Sequence, residues 1–230
     1  MGAPTGVYPV VKRVLDVLFA VVGLVALSPV LLLAAILIKC DSHGPVIFKQ
    51  KRIGKNRRVF DMYKFRTMGT EAPSEVPTHE FSRSQDFVTT SGRVLRKSSI
   101  DELPQLWNIL RGDMSFVGPR PALWNQYDLI EARERYGANS VTPGLTGWAQ
   151  INGRDELSIS KKAALDGHYV LAMGPLLDAR CILGSVVTVV RADGVREGDG
   201  GRPAPSAQQL MPDGEAADPD STVAGGRQQC

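Results

Sequence analysis

Cysteine and histidine are scarce in this chain. Its three cysteines, Cys40, Cys181 and Cys230, cannot all pair and do not fall at metal-ligand spacing. That excludes a disulfide scaffold and a zinc module and points to a reducing compartment. His43, His79 and His168 are scattered, with no second ligand near any of them in sequence, which excludes a histidine metal site. There is no internal repeat. Hydrophobic residues make up 43 % of the 230 positions, enough for the core of one domain with an appendage and too many for a wholly disordered chain.

Charge is unevenly spread. The formal net charge is +3, yet residues 191–230 carry four Lys/Arg against seven Asp/Glu, while residues 1–190 carry 23 against 17. A basic body with an acidic tail calls for an anionic partner of the body: nucleic acid, anionic lipid or a phosphorylated small molecule. Residues 49–66 hold eight Lys/Arg opposed only by Asp61. Aromatic residues are not interleaved there as a base-stacking platform requires, and an apolar segment is adjacent, so an anionic lipid bilayer is expected and nucleic acid is not.

The apolar segment runs for 22 residues from Val17 to Ile38 without a charge. At about 1.5 Å per residue that length reaches across a hydrocarbon core of roughly 30 Å. It is too long for a signal-peptide core and no convincing small-residue cleavage site follows it. Ser28-Pro29 lies at its centre, where the proline removes a helical donor and predicts a kink, and Ser28 can bond a freed carbonyl. Both flanks are basic, with Lys12 and Arg13 before and Lys39 and the 49–66 stretch after. Because positive residues favour the cytoplasmic side, a helix-break-helix that leaves by the face it entered satisfies both flanks better than a single pass or a buried soluble helix.

Further along, residues 46–68 predict a β-hairpin turning at Arg52–Asn56, and residues 69–90 an exposed loop. Helices are predicted over Gln105–Leu110, over Ala122–Tyr136 after Pro121, and over Ser158–Val170. Residues 142–154 predict a structured loop or short strand pair. Leu176–Val190 is amphipathic and suited to a surface, and beyond Arg191 the composition predicts a disordered acidic tail. The expected divisions are therefore 1–11 as an extension, 12–45 as the membrane helix-break-helix, 46–190 as a catalytic body and 191–230 as the tail.

Three polar constellations could carry chemistry. In Arg96–Gln105 the adjacent carboxylates Asp101 and Glu102 lie beside cations, an arrangement able to bind Mg²⁺ with substrate phosphates or to attack phosphorus, although helix capping explains the same pattern. In Arg111–Pro121, two prolines restrict the backbone around Arg120, which suits bidentate phosphate recognition or a solvated turn. In Thr142–Arg154, glycines allow close backbone approach, and Trp148, Gln150, Asn152 and Arg154 offer stacking and hydrogen bonding, or a packed turn.

Read in order, these segments narrow the choice. Lys12-Arg13 with Asp16, Ser28-Pro29, Tyr63-Lys64-Phe65-Arg66-Thr67-Met68, Asp101-Glu102-Leu103-Pro104-Gln105, Gly112–Pro121 and Pro143–Arg154 together resemble the bacterial sugar transferases, monotopic polyprenol-phosphate phosphoglycosyl transferases. The resemblance spans about residues 10–190 and is to the small, minimal form without an additional N-terminal membrane domain. It implies an α+β, membrane-associated fold: a re-entrant membrane helix, a β-hairpin and interfacial helices around a small catalytic core, monotopic on the inner membrane and facing the cytoplasm.

The resemblance also implies a reaction. A sugar-1-phosphate passes from a UDP-sugar to undecaprenyl phosphate, UMP leaves, and polysaccharide or glycoconjugate assembly begins. Asp101 matches the family nucleophile and Glu102 its partner in Mg²⁺ or proton handling. Arg96, Arg120 and Lys64 match phosphate-binding positions. Lys12, Arg13, Asp16, Ser28 and Pro29 match the elements that hold the membrane insert, and Trp148, Gln150, Asn152 and Arg154 form the nucleotide or sugar loop. A homo-oligomer is compatible with this reading. Ile159 and His168 depart from the usual pattern and bear on sugar choice and helix packing rather than on the chemistry.

Overall fold

The computed structural model describes residues 6–72, 84–153 and 157–191. The expectations for Arg154 and for the tail beyond Arg191 lie outside these residues.

Two N-terminal helices, α1 (Tyr8–Ala26) and α2 (Ser28–Asp41), meet at Leu27 with a 61° bend. Proline at the first turn of α2 has no N–H to give, and the Ser28 hydroxyl donates instead to the Val25 carbonyl at 2.8 Å. No single described helix is long and apolar enough to cross a membrane, whereas the bent pair together has that length and composition. The pair touches the rest of the chain along a narrow stripe. Asp16, Ala20, Ala34 and Ile38 are buried, while Val10, Val14, Val21, Val25, Leu32, Leu33, Ile36 and Leu37 are exposed. At Gly23 the approach is close enough that a Cβ would lie 3.2 Å from a Leu106 methyl.

The hairpin forms as the alternation predicts. β1 (Ile47–Ile53) and β2 (Val59–Phe65) pair antiparallel, with Lys51 opposite Asp61. Asn56 and Arg57 take positive φ at the turn, which fits a tight hairpin connection. After β2 come α3 (Thr90–Lys97), a 3-10 turn (Ile100–Glu102), α4 (Gln105–Arg111) and β3 (Ser115–Val117). One core cluster gathers Ala20, Met62, Leu106, Ile109 and Met114, where α1, β2 and α4 meet. A second gathers Ala34, Ile38, Phe65 and Leu95 beneath α2, β2 and α3.

The expected helix over Ala122–Tyr136 shrinks to α5 (Tyr127–Glu134). The reason is competition for its first residues. Ile53 N–H donates to the Ala122 carbonyl and Arg52 to the Pro121 carbonyl, so residues 121–123 run along the hairpin instead of coiling. Residues 144–146 form β4 (Gly144–Thr146), whose partner is β3, in parallel. A Cβ at Gly144 would lie on the Gly118 backbone, so this crossing needs glycine. Then follow α6 (Trp148–Ile151), α7 (Ile159–Ala172) capped by Ser158, and α8 (Pro175–Arg191). Val117, Tyr169, Leu177 and Cys181 close a third cluster between β3, α7 and α8. The described chain thus mixes helices with two small sheets.

Candidate active site

The 3-10 turn bearing Asp101 and Glu102 is launched by Ser99, held at φ 57° and ψ 15°, a left-handed conformation unusual for a residue with a side chain. Glu102 receives two cations on one oxygen: Lys64 Nζ at 2.9 Å and Arg120 Nη2 at 2.7 Å. Each cation is delivered by a different element. Lys64 stands near the end of β2. The buried Asn108 of α4 fixes that strand, accepting from Tyr63 N–H at 2.9 Å and donating to the Asp61 carbonyl at 2.8 Å. Arg120 follows β3 through Gly118-Pro119, a path held by Gly118 N–H donating to Thr146 and Gly144 N–H donating to Pro119.

Arg96 approaches through α3. Gly92 lies against the Thr67 backbone so closely that a Cβ would overlap it. One turn later Arg96 Nε donates to Thr67 Oγ1 at 2.8 Å. Asp101 is half-buried, and among the described residues no group donates a hydrogen bond to its carboxylate.

The two carboxylates are consequently unlike. Burial pushes Asp101 above the ordinary aspartate value; Lys64 works against that and the neighbouring Glu102 charge adds to it. Burial also acts to raise Glu102, but Arg120 and Lys64 outweigh it and hold Glu102 well below the usual carboxylate range. One carboxylate is a fixed anion held by two cations, and the other accepts no hydrogen bond from a described group and has a proton affinity raised by its burial. Such a divergent pair can divide chemical roles between its members.

Among the described residues no three His, Cys, Asp or Glu side chains gather into a metal-binding group. Among the described residues, this carboxylate pair is the donor set that the site offers a cation. A Mg²⁺ ion held by one or two carboxylates and completed by substrate phosphates suits such a donor set.

The N-terminal residues singled out in the sequence make long-range bonds to the same body. Lys12 pairs with Asp178 of α8, and Arg13 donates to the Ile109 and Leu110 carbonyls at 2.6 and 2.8 Å, capping α4. Asp16 accepts from Phe116 N–H at 3.1 Å. Ser28 and Pro29 sit at the bend.

The loop residues turn inward instead. Trp148 packs on the Val117–Tyr169 cluster and against the His168 ring at 5.7 Å. Gln150 donates to the Leu145 carbonyl, and Asn152 to the Trp148 carbonyl. None of these bonds reaches the Asp101–Glu102 turn. Sequence reasoning missed Thr67, Asn108 and Asp178. The last accepts from Tyr8, Lys12 and Tyr169, and an acidic residue amid an apolar amphipathic stretch was the available signal.

The chain is similar to known proteins over most of its length. The bacterial sugar transferase family model matches residues 7–192. An undecaprenyl-phosphate glucose phosphotransferase of Komagataeibacter xylinus is 46 % identical over 181 residues, covering 74 % of this chain and 34 % of that protein. A UDP-N-acetylgalactosamine-undecaprenyl-phosphate N-acetylgalactosaminephosphotransferase of Aeromonas hydrophila is 38 % identical over 200 residues, 84 % of this chain and 47 % of that one. The exopolysaccharide production protein ExoY of Sinorhizobium fredii is 37 % identical over 207 residues, with 84 % and 91 % covered. The chain thus spans between a third and a half of the first two relatives and nearly all of the third.

Proposed function

The chain belongs to the bacterial sugar transferase family, and from that premise we propose that it moves a sugar-1-phosphate from a UDP-sugar to undecaprenyl phosphate by way of a covalent Asp101 intermediate, initiating the assembly of a polysaccharide or glycoconjugate. The observation that carries this reading is the contrast within the carboxylate pair. Glu102 is engaged by Lys64 and Arg120, whereas no described group donates to Asp101.

In the first step an ionised Asp101 oxygen attacks the sugar-bearing phosphorus of the donor. The bond from that phosphorus to the bridging oxygen breaks, and UMP leaves with the electron pair. In the second step an oxygen of undecaprenyl phosphate attacks the same phosphorus. The acyl-phosphate bond breaks, Asp101 recovers its carboxylate, and the diphosphate-linked lipid sugar departs. Splitting the transfer in two lets UMP leave before the second anionic substrate arrives.

Lys64, Arg96 and Arg120 supply fixed positive charge where phosphoryl oxygens gain negative charge, and Glu102 keeps Lys64 and Arg120 from drifting apart. Mg²⁺ would be held by Glu102 and Asp101, and when bound it neutralises the donor diphosphate.

The bent helix pair is read as a re-entrant insert in the inner membrane, with the body and α8 on the cytoplasmic face beside anionic headgroups. Both ends of the pair being bonded to one body supports this, through Lys12 and Arg13 at one end and through Asp41, which accepts from Ser91 N–H and Oγ, at the other. The test is the purified full chain in nanodiscs with undecaprenyl phosphate, Mg²⁺ and a panel of UDP-sugars, reading UMP release and lipid product. Without the lipid, UMP release is expected to stop near one equivalent per enzyme, and sustained release with lipid product is expected only with it. Sustained release without the lipid would make the protein a phosphohydrolase, and no release with any sugar nucleotide would make it a non-catalytic assembly partner.

A further inference from the structure

Thr67 is buried, and its backbone and its side chain make separate contacts with α3. Its carbonyl accepts from the Thr89 N–H at 3.0 Å, and Gly92 lies against the same carbonyl. Its hydroxyl oxygen accepts from Arg96 Nε at 2.8 Å, one turn beyond Gly92. The backbone thus docks α3, and the side-chain bond acts on Arg96. Arg96 is also where α3 passes into the turn that bears Asp101. Its carbonyl accepts from the N–H of Ser99, the residue with left-handed backbone, at 3.1 Å. Burial raises Asp101, and Arg96 is one of three cations, with Lys64 and Arg120, whose charge acts against that rise. Arg96 is therefore tied by its backbone to the Asp101 turn and by its guanidinium to Thr67. The acceptor at Nε is a neutral hydroxyl, which orients the guanidinium plane without itself cancelling the charge. Lys64 and Arg120 are instead held by the Glu102 carboxylate. A guanidinium oriented through Nε presents its Nη end for phosphate oxygens.

We propose that Thr67 is a positioning residue for Arg96: its hydroxyl holds the guanidinium toward the phosphorus that Asp101 attacks, so that the arginine meets the negative charge gathering on the phosphoryl oxygens. The inference rests on Asp101 being the nucleophile and on Arg96 being a phosphate ligand. Thr67 touches no substrate and transfers no proton. Two substitutions take its side chain apart. Thr67→Val keeps the branched shape and the buried methyl and removes the hydroxyl, whereas Thr67→Ser keeps the hydroxyl and removes the methyl. The Thr89 bond to the backbone of residue 67 is open to both variants, so α3 stays docked in either.

The experiment uses the full chain in nanodiscs and the UDP-sugar found active in the panel, and follows single-turnover adduct formation. In Thr67→Val the rate constant at saturating donor should fall by about 10- to 100-fold, as expected of a misplaced phosphate ligand. The half-saturating donor concentration should stay near wild type, because the lost interaction belongs to the transition state. Thr67→Ser should react near the wild-type rate. On an Arg96→Gln background Thr67→Val should add nothing further, since both changes remove one interaction. Packing alone gives the reverse order, with serine worse than valine, and that result overturns the assignment. So does a folded Thr67→Val with a wild-type rate constant, a change confined to half-saturation, or a loss that persists in full on top of Arg96→Gln. Should Thr67→Val fail to fold, Thr67→Ala against Thr67→Ser isolates the hydroxyl, and equal rates in that pair overturn the role. Two further arms test the premises. An adduct that persists in Asp101→Asn overturns the nucleophile, and wild-type adduct formation in Arg96→Gln overturns the phosphate role of Arg96. A slow Arg96→Gln beside an unimpaired Thr67→Val overturns only the role of Thr67.

Discussion

Asp16, two turns into α1, accepts a hydrogen bond from the backbone N–H of Phe116, one hundred residues later in the chain. Asp16 is buried, and the ring of Phe19 meets that of Phe116 edge to face at 6.5 Å. Phe116 is the middle residue of β3, and four positions on is Arg120, which holds Glu102. On the other side of the strand the Tyr169 hydroxyl lies between the Val117 carbonyl and Asp178, the residue that also accepts from Tyr8 and Lys12 of α1. The N-terminal helix therefore grips, through Asp16 and through Asp178, the strand that leads to Arg120, the arginine that holds Glu102.

Asp16→Ala should loosen that grip. It leaves the Phe116 N–H without its acceptor, at a cost of about 1–3 kcal/mol. A lower thermal midpoint and a reduced kcat/KM for the UDP-sugar are expected together, measured in nanodiscs. Asp16→Asn, which retains an acceptor oxygen, should recover most of both.

Asp101 links activity and stability with opposite signs. Its folded pKa lies above the ordinary value of about 3.9, so the ionised form, which the proposed attack requires, is the form that folding disfavours. Lowering pH through the raised value stabilises this group and removes the form proposed to attack. The acid limb of kcat/KM is therefore expected above pH 3.9. Asp101→Asn should abolish turnover while raising the thermal midpoint at pH 7, because it removes a buried charge and keeps the shape.

The site was legible from sequence where a motif carries its residues contiguously: Asp101-Glu102, the Pro-Arg-Pro around Arg120 and the Lys64 segment all come to one place. The fold was legible where periodicity or proline acts locally, as at Ser28-Pro29 and along the hairpin. The parts that were not legible depend on distant partners. Nothing local distinguishes Ala122 from a helix-starting alanine; the waiting Ile53 N–H decides its conformation. The pairing of Gly144 with a strand near residue 115, and the use of Asn108 to bind a strand rather than a ligand, likewise follow only from which elements end up adjacent. The loop of Trp148 and Gln150 illustrates the converse, since residue types suited to ligand contact are here taken up by the loop's own packing.

Glu102→Gln should damage both stability and chemistry. It removes the charge on which Lys64 and Arg120 converge, at about 1–3 kcal/mol, between the values for exposed and buried pairs because Arg120 is 31 % exposed. Glu102 has a depressed folded pKa, so its contribution is complete above the ordinary glutamate value of about 4.3 and fades as pH falls toward the folded one. The gap in thermal midpoint between variant and wild type should thus be full at pH 7 and narrow below pH 4. An equal gap at both would show that charge is not the cause.

The topology of the insert can be decided by cysteine labelling, and the bonds at its two ends make the expectation sharp. Lys12 and Arg13 attach the start of α1 to α8 and α4, and Asp41 attaches the end of α2 to α3. These belong to one body, with α4 and α3 joined through the turn that bears Asp101. A single pass would place the start of α1 and the end of α2 on opposite faces of the bilayer, separating groups that the fold holds within hydrogen-bonding distance of the same helices. In a Cys40→Ser, Cys230→Ser background, Val7→Cys and His43→Cys, both at exposed positions, should react with a membrane-impermeant maleimide only once the cytoplasmic face is opened. Labelling of either from the periplasm of intact cells would require one set of these bonds to be broken in the membrane, and the re-entrant insert would have to be abandoned.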